Sequence, residues 1–193
     1  MKIDRTRLET RSYIGIDVNL TGYGLAIMKY DGIILNFIDV VRQDEDINVM
    51  FPEWVRATRE LFWCVDARLT NRATRNVVVI EDPSAMSAPH IKRHKGQIVS
   101  VTSAWQTADT LNRLTGMLSV VFLDKDYVCK YPSSVMWKSK VMGDGKAEKK
   151  EVQREMGKLI LPNDPNAFID NHHVADSVAL AMYGYMEDLD AKL

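Results

Sequence analysis

The stretch YIGIDVNLTGYGLAI, residues 13–27, is the most informative part of the sequence for the fold. It places one acid, Asp17, within an apolar run. Residues 12–18 are apolar on both faces apart from Asp17, which is typical of a central strand buried on both sides. A carboxylate inside such a sheet costs free energy unless a cation, a metal ion or hydrogen bonds compensate it. The sequence therefore predicts a central strand whose acid has a compensating partner.

Two more strands follow the first, separated by short turns. Gly22 and Gly24 are predicted to bracket the first turn, and the pair Asp31-Gly32 is typical of a hairpin turn. The three predicted strands cover residues 12–18, 25–30 and 33–41. Consecutive strands joined by such short turns predict an antiparallel meander.

The rest of the chain alternates helices with short strands. The predicted elements are a helix at residues 52–72, a strand in NVVVIED (residues 76–82), a loop at 83–96, a helix from Ala104, a strand at 127–131, a helical turn in 132–140, a helix ending at Pro162 and a helix at 171–185. SVVFL, residues 119–123, fits the end of a helix and a strand equally well. The order β-β-β-α-β-α-β-α-α predicts a mixed α/β sheet flanked by helices.

Length and composition indicate one globular domain, which we place at residues 12–186 with tails at 1–11 and 187–193. No apolar run is long enough to span a bilayer, and the N-terminus lacks the apolar segment of a signal peptide. Cys64 and Cys129 have neither metal-binding nor redox spacing. We therefore expect a cytoplasmic protein with no membrane partner.

Positive charge is concentrated in one segment, although the net charge is only −1. Residues 130–158 contain eight basic residues and four acids: Lys130, Lys138, Lys140, Lys146, Lys149, Lys150, Arg154 and Lys158 against Asp144, Glu148, Glu151 and Glu155. A smaller basic cluster, HIKRHK, contains Lys92 and Arg93. Segregated positive charge can bind phosphates even when the net charge is near zero.

Three acids and one histidine form the candidate site. Asp17 lies in the first strand, Glu81 ends the fourth, and Asp176 lies in the last helix with His173 three residues earlier. If the first and fourth strands are adjacent and the last helix packs over them, these side chains converge. Three carboxylates cannot share a small volume at neutral pH without counter-charge. Oxygen ligands with one imidazole suit Mg²⁺ or Mn²⁺, so the sequence predicts a metal site.

Each of these residues taken alone has a simpler structural interpretation. An acid such as Glu81 at a strand end is more often a turn or cap residue. His172 and His173 after Asn171 fit an ordinary helix start. Asp17 is harder to explain in this way, because a central strand offers little water, and the combination favours a catalytic site.

The motifs GID and TGYG (residues 15–24), IE at the end of the fourth strand and HHVADSVALA (172–181) together resemble the RuvC family of Holliday junction resolvases. The basic stretch YPSSVMWKSKVMGDGKAEKKEVQREM, residues 131–156, is similar to the family segment that precedes its final acidic motif. The resemblance covers residues 13–184. It implies a ribonuclease H-like fold with a mixed five-stranded sheet, three antiparallel strands followed by parallel strands, in a divergent phage-type or bacterial member.

The resemblance also implies roles for individual residues. Asp17, Glu81 and Asp176 match the family's metal ligands, and His173 falls where relatives carry Asp or His. The DNA-binding residues are then expected to be Lys138 and Lys149, which match phosphate-binding lysines, together with Lys146, Lys92 and Arg93.

The implied activity is that of a DNA endonuclease that resolves four-way junctions through two-metal phosphodiester hydrolysis. The cofactor is expected to be two Mg²⁺ ions per active site, with Mn²⁺ as a substitute. Two symmetric nicks imply a twofold homodimer. The helix running from Ala104 to Val121 is the candidate interface.

Three departures from the family pattern keep other interpretations open. The loop after Asp17 is shorter, one extra residue lies between Tyr131 and Gly143, and DPSAM follows Glu81 where relatives often carry a stacking aromatic. Met86 is a candidate replacement for that aromatic. A ribonuclease H-fold nuclease with relaxed specificity for flaps or other branched DNA is therefore an alternative.

Three other classes fit less well. An actin-like ATPase or sugar kinase would need a second similar domain, for which this chain is too short. A DEDD-type exonuclease would need an acid where this chain has Asn19. An inactive DNA-binding relative is disfavoured because all three carboxylates are present.

Overall fold

The computed structural model shows a mixed sheet with helices on both faces. The structure describes residues 11–19, 22–29, 32–39, 47–69, 76–83, 90–94, 97–102 and 104–191. The main-sheet strands are β1 (Tyr13–Asn19), β2 (Gly22–Lys29), β3 (Gly32–Asp39), β4 (Val77–Ile80) and, later in the chain, β7 (Val128–Lys130).

The order of these strands in the sheet is β3-β2-β1-β4-β7. Strands β1, β2 and β3 pair antiparallel, whereas β4 lies parallel to β1 and β7 parallel to β4. The predicted meander followed by parallel strands is therefore confirmed. The pairing of β1 with β4 is the adjacency that the candidate site requires.

Residues 90–94 form a strand, which corrects this part of the loop predicted at residues 83–96. Strand β5 (His90–His94) contains most of the basic cluster HIKRHK and pairs antiparallel with β6 (Gln97–Thr102). Strands that are not buried on both faces commonly carry polar residues, so a run of charged residues does not exclude a strand. The charged residues of HIKRHK were therefore no evidence against a strand.

Within the described ranges, five helices accompany the sheet: α1 (Ile47–Arg68), α2 (Ala104–Leu123), α3 (Ser134–Met142), α4 (Lys149–Ile160) and α5 (His172–Asp190). Ile14 and Ile16 of β1 face the cluster that includes α1 and α2. Tyr13 faces the opposite cluster, which includes α3, α4 and α5. Successive strand residues alternate between faces, so Asp17 lies on the α5 side, as predicted. Each fully buried Ile contributes roughly 1.5–3 kcal/mol to this core.

Helix bounds differ from the prediction, and helix α1 differs at both ends: it ends at Arg68, whereas the prediction extended it to residue 72. Helix α1 begins at Ile47, five residues before Pro52. Helix α2 continues through SVVFL, which settles that segment as helix. Leu118 and Phe122 are four residues apart and are both fully buried on the same helix face, so packing overrides the strand preference of the two valines.

Helix α5 ends at Asp190, beyond the predicted end at Tyr185. Its last turns are held to the sheet by Asp188, which accepts from Arg11 at 2.5 Å and from Lys130 at 3.2 Å. No helix in the described part of the chain is long and apolar enough to cross a membrane.

The predicted turn at Gly22 and Gly24 is wrong, because both residues lie inside β2. Gly24 pairs with Asp17 across the antiparallel ladder. A Cβ atom at Gly24 would lie only 2.2 Å from the carbonyl oxygen of His173 in α5. The glycine is needed for close approach of a helix, not for a turn.

Candidate active site

Two acids stand at one end of the sheet because β1 and β4 run parallel. Asp17 is 7% exposed near the end of β1, and Glu81 directly follows β4. The Glu81 N–H donates to the carbonyl oxygen of Ile16 at 3.4 Å, which keeps the two chain segments side by side beyond the last residue of β4. The carboxyl ends of neighbouring parallel strands therefore bring these acids to the same edge.

Helix α5 adds the other two predicted side chains. Asn171 caps the helix by accepting from the N–H groups of His173 at 3.0 Å and Val174 at 3.4 Å. The Nδ1 atom of His173 lies 2.5 Å from Oδ2 of Asp17. One shared proton satisfies this contact: either the ring N–H donates to the ionised carboxylate, or the protonated carboxyl group donates to the neutral ring nitrogen. The helix start and the β1 acid are thus in direct contact.

A cleft of about 310 Å³ contains all four residues of the predicted site. Its lining includes Asp17, Glu81, His173 and Asp176, together with Lys138 and Lys149. Lys146 is exposed and does not line this cleft. The structure therefore brings together the four candidate catalytic residues and two of the five candidate DNA-binding residues.

The remaining sequence predictions fall where side chains are not described. Lys92 and Arg93 lie on β5, whose backbone is described but whose side-chain positions are outside the described set. Met86, the candidate replacement for the family's stacking aromatic, lies outside the described residues. These three residues stay predictions.

The three acids share an environment that disfavours their ionised forms. Burial raises the pKa of Asp17 to about 7. Burial, followed by the charges of Asp17 and Asp176, raises the pKa of Glu81 to about 8. Burial and the charge of Asp17 raise the pKa of Asp176 to about 7. Each acid therefore stands close to its ionisation midpoint near neutral pH and would gain from a nearby cation.

Two lysines supply the positive charge in the cleft. Lys149, the first residue of α4, acts to lower the pKa of Asp17 and Asp176. Lys138 acts to lower the pKa of Glu81 and Asp176. The Lys138 ammonium group donates to the carbonyl oxygen of Ala147 at 3.0 Å, which ties α3 to the segment before α4. These lysines reduce the repulsion among the acids but leave their pKa values raised.

His173 has a lowered pKa, first because of burial and then because of Lys149, while the charge of Asp176 opposes the shift. A lowered pKa favours the neutral imidazole at neutral pH, which is the form that can bind a metal ion. Its ring lies against that of His172, with centroids 3.9 Å apart and planes tilted by 38°.

Two residues of the cleft were missed by sequence reasoning. His172 lines the cleft beside His173, and the paired histidines were the available signal. Trp137 also lines it and is 1% exposed. Its buried indole side chain acts on Glu81 and opposes the rise in the pKa of that acid. The only sequence feature that could have placed Trp137 in the cleft was its position next to Lys138.

The donor set fits a hard divalent cation in chemistry. Three carboxylates and one imidazole in a shared cleft provide oxygen and nitrogen ligands suited to Mg²⁺ or Mn²⁺. Across the described ranges, no three His, Cys, Asp or Glu side chains stand close enough to surround one ion. Holding one ion through three of these side chains would therefore require side-chain rotation within the cleft.

No protein-family model matches the sequence, and no curated protein matches it. Solved structures do match. Thermus thermophilus RuvC aligns over 93% of this chain and 96% of its own, with 15% identity and a TM-score of 0.57. T. thermophilus RuvC in complex with a Holliday junction substrate aligns over the same fractions, with 14% identity and a TM-score of 0.59. At so low a sequence identity, these matches establish only the fold. The chain has a RuvC-like fold.

Proposed function

We propose that this protein is a structure-selective DNA endonuclease that resolves four-way Holliday junctions by paired symmetric nicks. The observation that carries the proposal is the meeting of Asp17, Glu81 and Asp176 with two lysines in one cleft of a RuvC-like fold. Acids that bind cations, next to lysines that bind phosphates, suit hydrolysis of a phosphodiester. The similar T. thermophilus structure with a Holliday junction substrate supports branched DNA as the partner.

We assign the metal ligands from their placement. The strand that carries Asp17 adjoins the Glu81 segment through the bond to Ile16 and helix α5 through His173, so Asp17 would contribute to holding both Mg²⁺ ions, with Glu81 holding one and Asp176 the other. Mn²⁺ is expected to substitute. Two divalent ions held in this way supply an activated water and stabilise the leaving oxygen. The raised pKa values mean that cation binding displaces protons from these carboxyl groups.

Lys138 and Lys149 are the proposed phosphate contacts. Lys149 lies at the rim of the cleft on the first turn of α4, where the helix dipole also favours negative charge. Lys138 is half-buried and fixed by its bond to Ala147. The two ammonium groups would hold the DNA backbone against the acids without reading base sequence.

The direct test of the function is nicking of synthetic four-way, three-way, flap and linear duplex DNA with Mg²⁺ or EDTA. We expect Mg²⁺-dependent, symmetrically paired nicks in the four-way junction and little cutting of linear duplex. Equal cutting of flaps and three-way DNA would favour the alternative of a nuclease with relaxed specificity. Cutting that persists in EDTA would reject the metal assignment, and no cutting of any substrate would reject the endonuclease.

A homodimer is part of the proposal, because two symmetric nicks require two active sites related by a twofold axis. The candidate interface was the helix from Ala104 to Val121, and its apolar residues Leu111, Leu114 and Leu118 are buried within the protomer core. The same helix leaves Val120 and Leu123 exposed at 68% and 55%. These two positions are the revised candidate interface, and Val120→Glu with Leu123→Glu should shift sedimentation from dimer to monomer.

Lys149→Ala is expected to weaken junction binding and to lower the slope of log affinity against log salt by roughly one unit, because one phosphate contact is lost. Lys150→Ala is the matched control, since Lys150 is the exposed neighbour outside the cleft. It should change the slope much less, and cleavage-site preference should stay the same in both variants. Junction affinity across a salt series measures the effect; an unchanged slope for Lys149→Ala would remove α4 from the binding surface.

His173→Ala is expected to lower cleavage roughly 10–100-fold, since it removes both a proposed ligand and the Asp17 contact. His173→Asp should retain most of the activity, because an acid at this position can also bind a cation. His172→Ala removes only the stacked ring and should cost less. Single-turnover nicking rates compare these variants with the wild type, and wild-type rates for both His173→Ala and His173→Asp would make His173 an ordinary helix-start residue.

A further inference from the structure

Helix α5 lies very close to β1 and β2, because each strand has a glycine beneath it. A Cβ atom at Gly15 would lie 1.9 Å from the carbonyl oxygen of Ser177, and one at Gly24 would lie 2.2 Å from that of His173. Real Cβ atoms essentially never approach another heavy atom within 3.0 Å. The helix backbone therefore rests directly on the two strands, and Gly24 is the residue paired with Asp17.

The hydroxyl group of Ser177 occupies this contact. Ser177 is fully buried, and its Oγ donates to the carbonyl oxygen of His173 at 2.7 Å. The same oxygen accepts from the backbone N–H of Asp17 at 3.2 Å. A hydroxyl has one donor and two acceptor sites, so both bonds form together. One side chain thus joins the strand that carries Asp17 to the helix that carries His173.

These bonds close a ring with the side-chain contact at the site. Asp17 binds Ser177 through its backbone and His173 through its carboxylate, at 2.5 Å from Nδ1. Asp176 immediately precedes Ser177 on the helix. The axial position and rotation of α5 that allow the Ser177 bonds therefore also set the position of Asp176. Hydrogen bonds are strongly directional, whereas the glycine contacts only limit distance.

We propose that Ser177 is a positioning residue that holds α5 in register with β1, so that His173 and Asp176 face Asp17 at the depth required for catalysis. This inference rests on the proposed nuclease function for its catalytic readout. The simpler interpretation is a helix serine that bonds back to the carbonyl four residues earlier. Ser119 in α2 makes the same kind of bond, donating to Thr115 at 2.6 Å, and its other side-chain partner, Tyr131, does not line the cleft. The bond to Asp17 is what distinguishes Ser177.

Ser119→Ala is therefore a matched control for Ser177→Ala. Both substitutions remove a buried hydroxyl with a bond to the preceding helical turn, but only Ser177→Ala removes a bond to the candidate site. We expect Ser177→Ala to lower the turnover rate roughly 10–100-fold and to raise the Mg²⁺ concentration needed for half-maximal rate, with little change in junction affinity. Ser119→Ala should leave rate and Mg²⁺ dependence unchanged.

A second readout does not depend on cleavage. The proton between His173 and Asp17 should give a downfield resonance in the NMR spectrum of histidine-labelled protein, assigned by its loss in His173→Ala. We expect Ser177→Ala to shift or broaden this resonance and Ser119→Ala to leave it in place. If Ser177→Ala does not fold, Ser177→Cys keeps a weak donor and acceptor at the position and should show a smaller change in the same direction.

The outcomes separate this inference from the proposed function. An unchanged resonance in folded Ser177→Ala, or in Ser177→Cys if the alanine variant does not fold, overturns the positioning role. Unchanged turnover and Mg²⁺ dependence in an active protein overturn it as well. If the wild-type protein cuts no DNA, the nuclease proposal fails, and the NMR comparison alone still decides whether Ser177 aligns the helix with the strand.

Discussion

Asp17→Asn is expected to reduce junction cleavage roughly a thousandfold or more while the protein stays folded and binds junctions. The substitution keeps the size of the side chain and removes the charge proposed to hold both metal ions. A ligand of this kind contributes several kcal/mol to transition-state stabilisation, and about 1.4 kcal/mol corresponds to a tenfold change in rate. Single-turnover nicking at saturating enzyme measures the loss without interference from product release.

Asp126→Asn is a suitable control for that experiment. Asp126 is exposed and has a φ angle of 62°, a backbone conformation that Asn tolerates, so the same chemical change is made far from the cleft without strain. It should leave the cleavage rate unchanged. Glu81→Gln and Asp176→Asn should resemble Asp17→Asn. Cleavage by Asp17→Asn at near wild-type rate with Mg²⁺ would show that the Asp17 assignment is wrong.

Periodicity explains why the four site residues could be found from the sequence. The alternation of β1 puts Asp17 opposite Ile14 and Ile16, which are buried in the core on the other face. The spacing of His173 and Asp176 makes them neighbours on one helix. Strand alternation and helix spacing are local rules that can be applied to the sequence. The sheet topology then places β1, β4 and α5 so that their site residues meet at one edge of the sheet.

Other features of the fold and the site depend on contacts between segments that are distant in the sequence. Local sequence patterns could not predict them. Gly24 was taken as a turn glycine, whereas the demand for glycine comes from the backbone of His173, about 150 residues later. Trp137 reaches the cleft because α3 packs against α5, in the same hydrophobic cluster. The raised pKa values likewise arise from burial and mutual repulsion in the folded protein, which spacing in a sequence does not determine.

The same raised pKa values predict how stability depends on pH. Asp17 and Asp176 have pKa values of about 7 and Glu81 of about 8 when folded, against ordinary values of 3.8 and 4.5. Between these limits the folded protein binds more protons than the unfolded chain. Stability without metal therefore falls as pH rises through this range, by at most about 1.4 kcal/mol per pH unit for each acid.

The histidines oppose this trend only at the lower end of the range. Burial lowers the pKa of His172 and His173 below 6.5, so their contribution to stability increases with pH until the unfolded histidines have lost their protons. Above about pH 6.5 the acids dominate. Because the three carboxyl groups interact, they should titrate together over a broad transition.

We expect the free energy of unfolding without metal to be roughly 2 kcal/mol lower at pH 8 than at pH 6.5. Mg²⁺ binds the ionised carboxylates, so it should stabilise the protein more at pH 8 and flatten or reverse the slope. Glu81→Gln removes the acid with the highest pKa and should raise metal-free stability at pH 8 while weakening the Mg²⁺ effect. Urea unfolding in EDTA or MgCl₂, with NaCl matched for ionic strength, measures both quantities. A flat metal-free profile, or equal Mg²⁺ stabilisation of wild type and Glu81→Gln, would contradict the electrostatic account of the cleft.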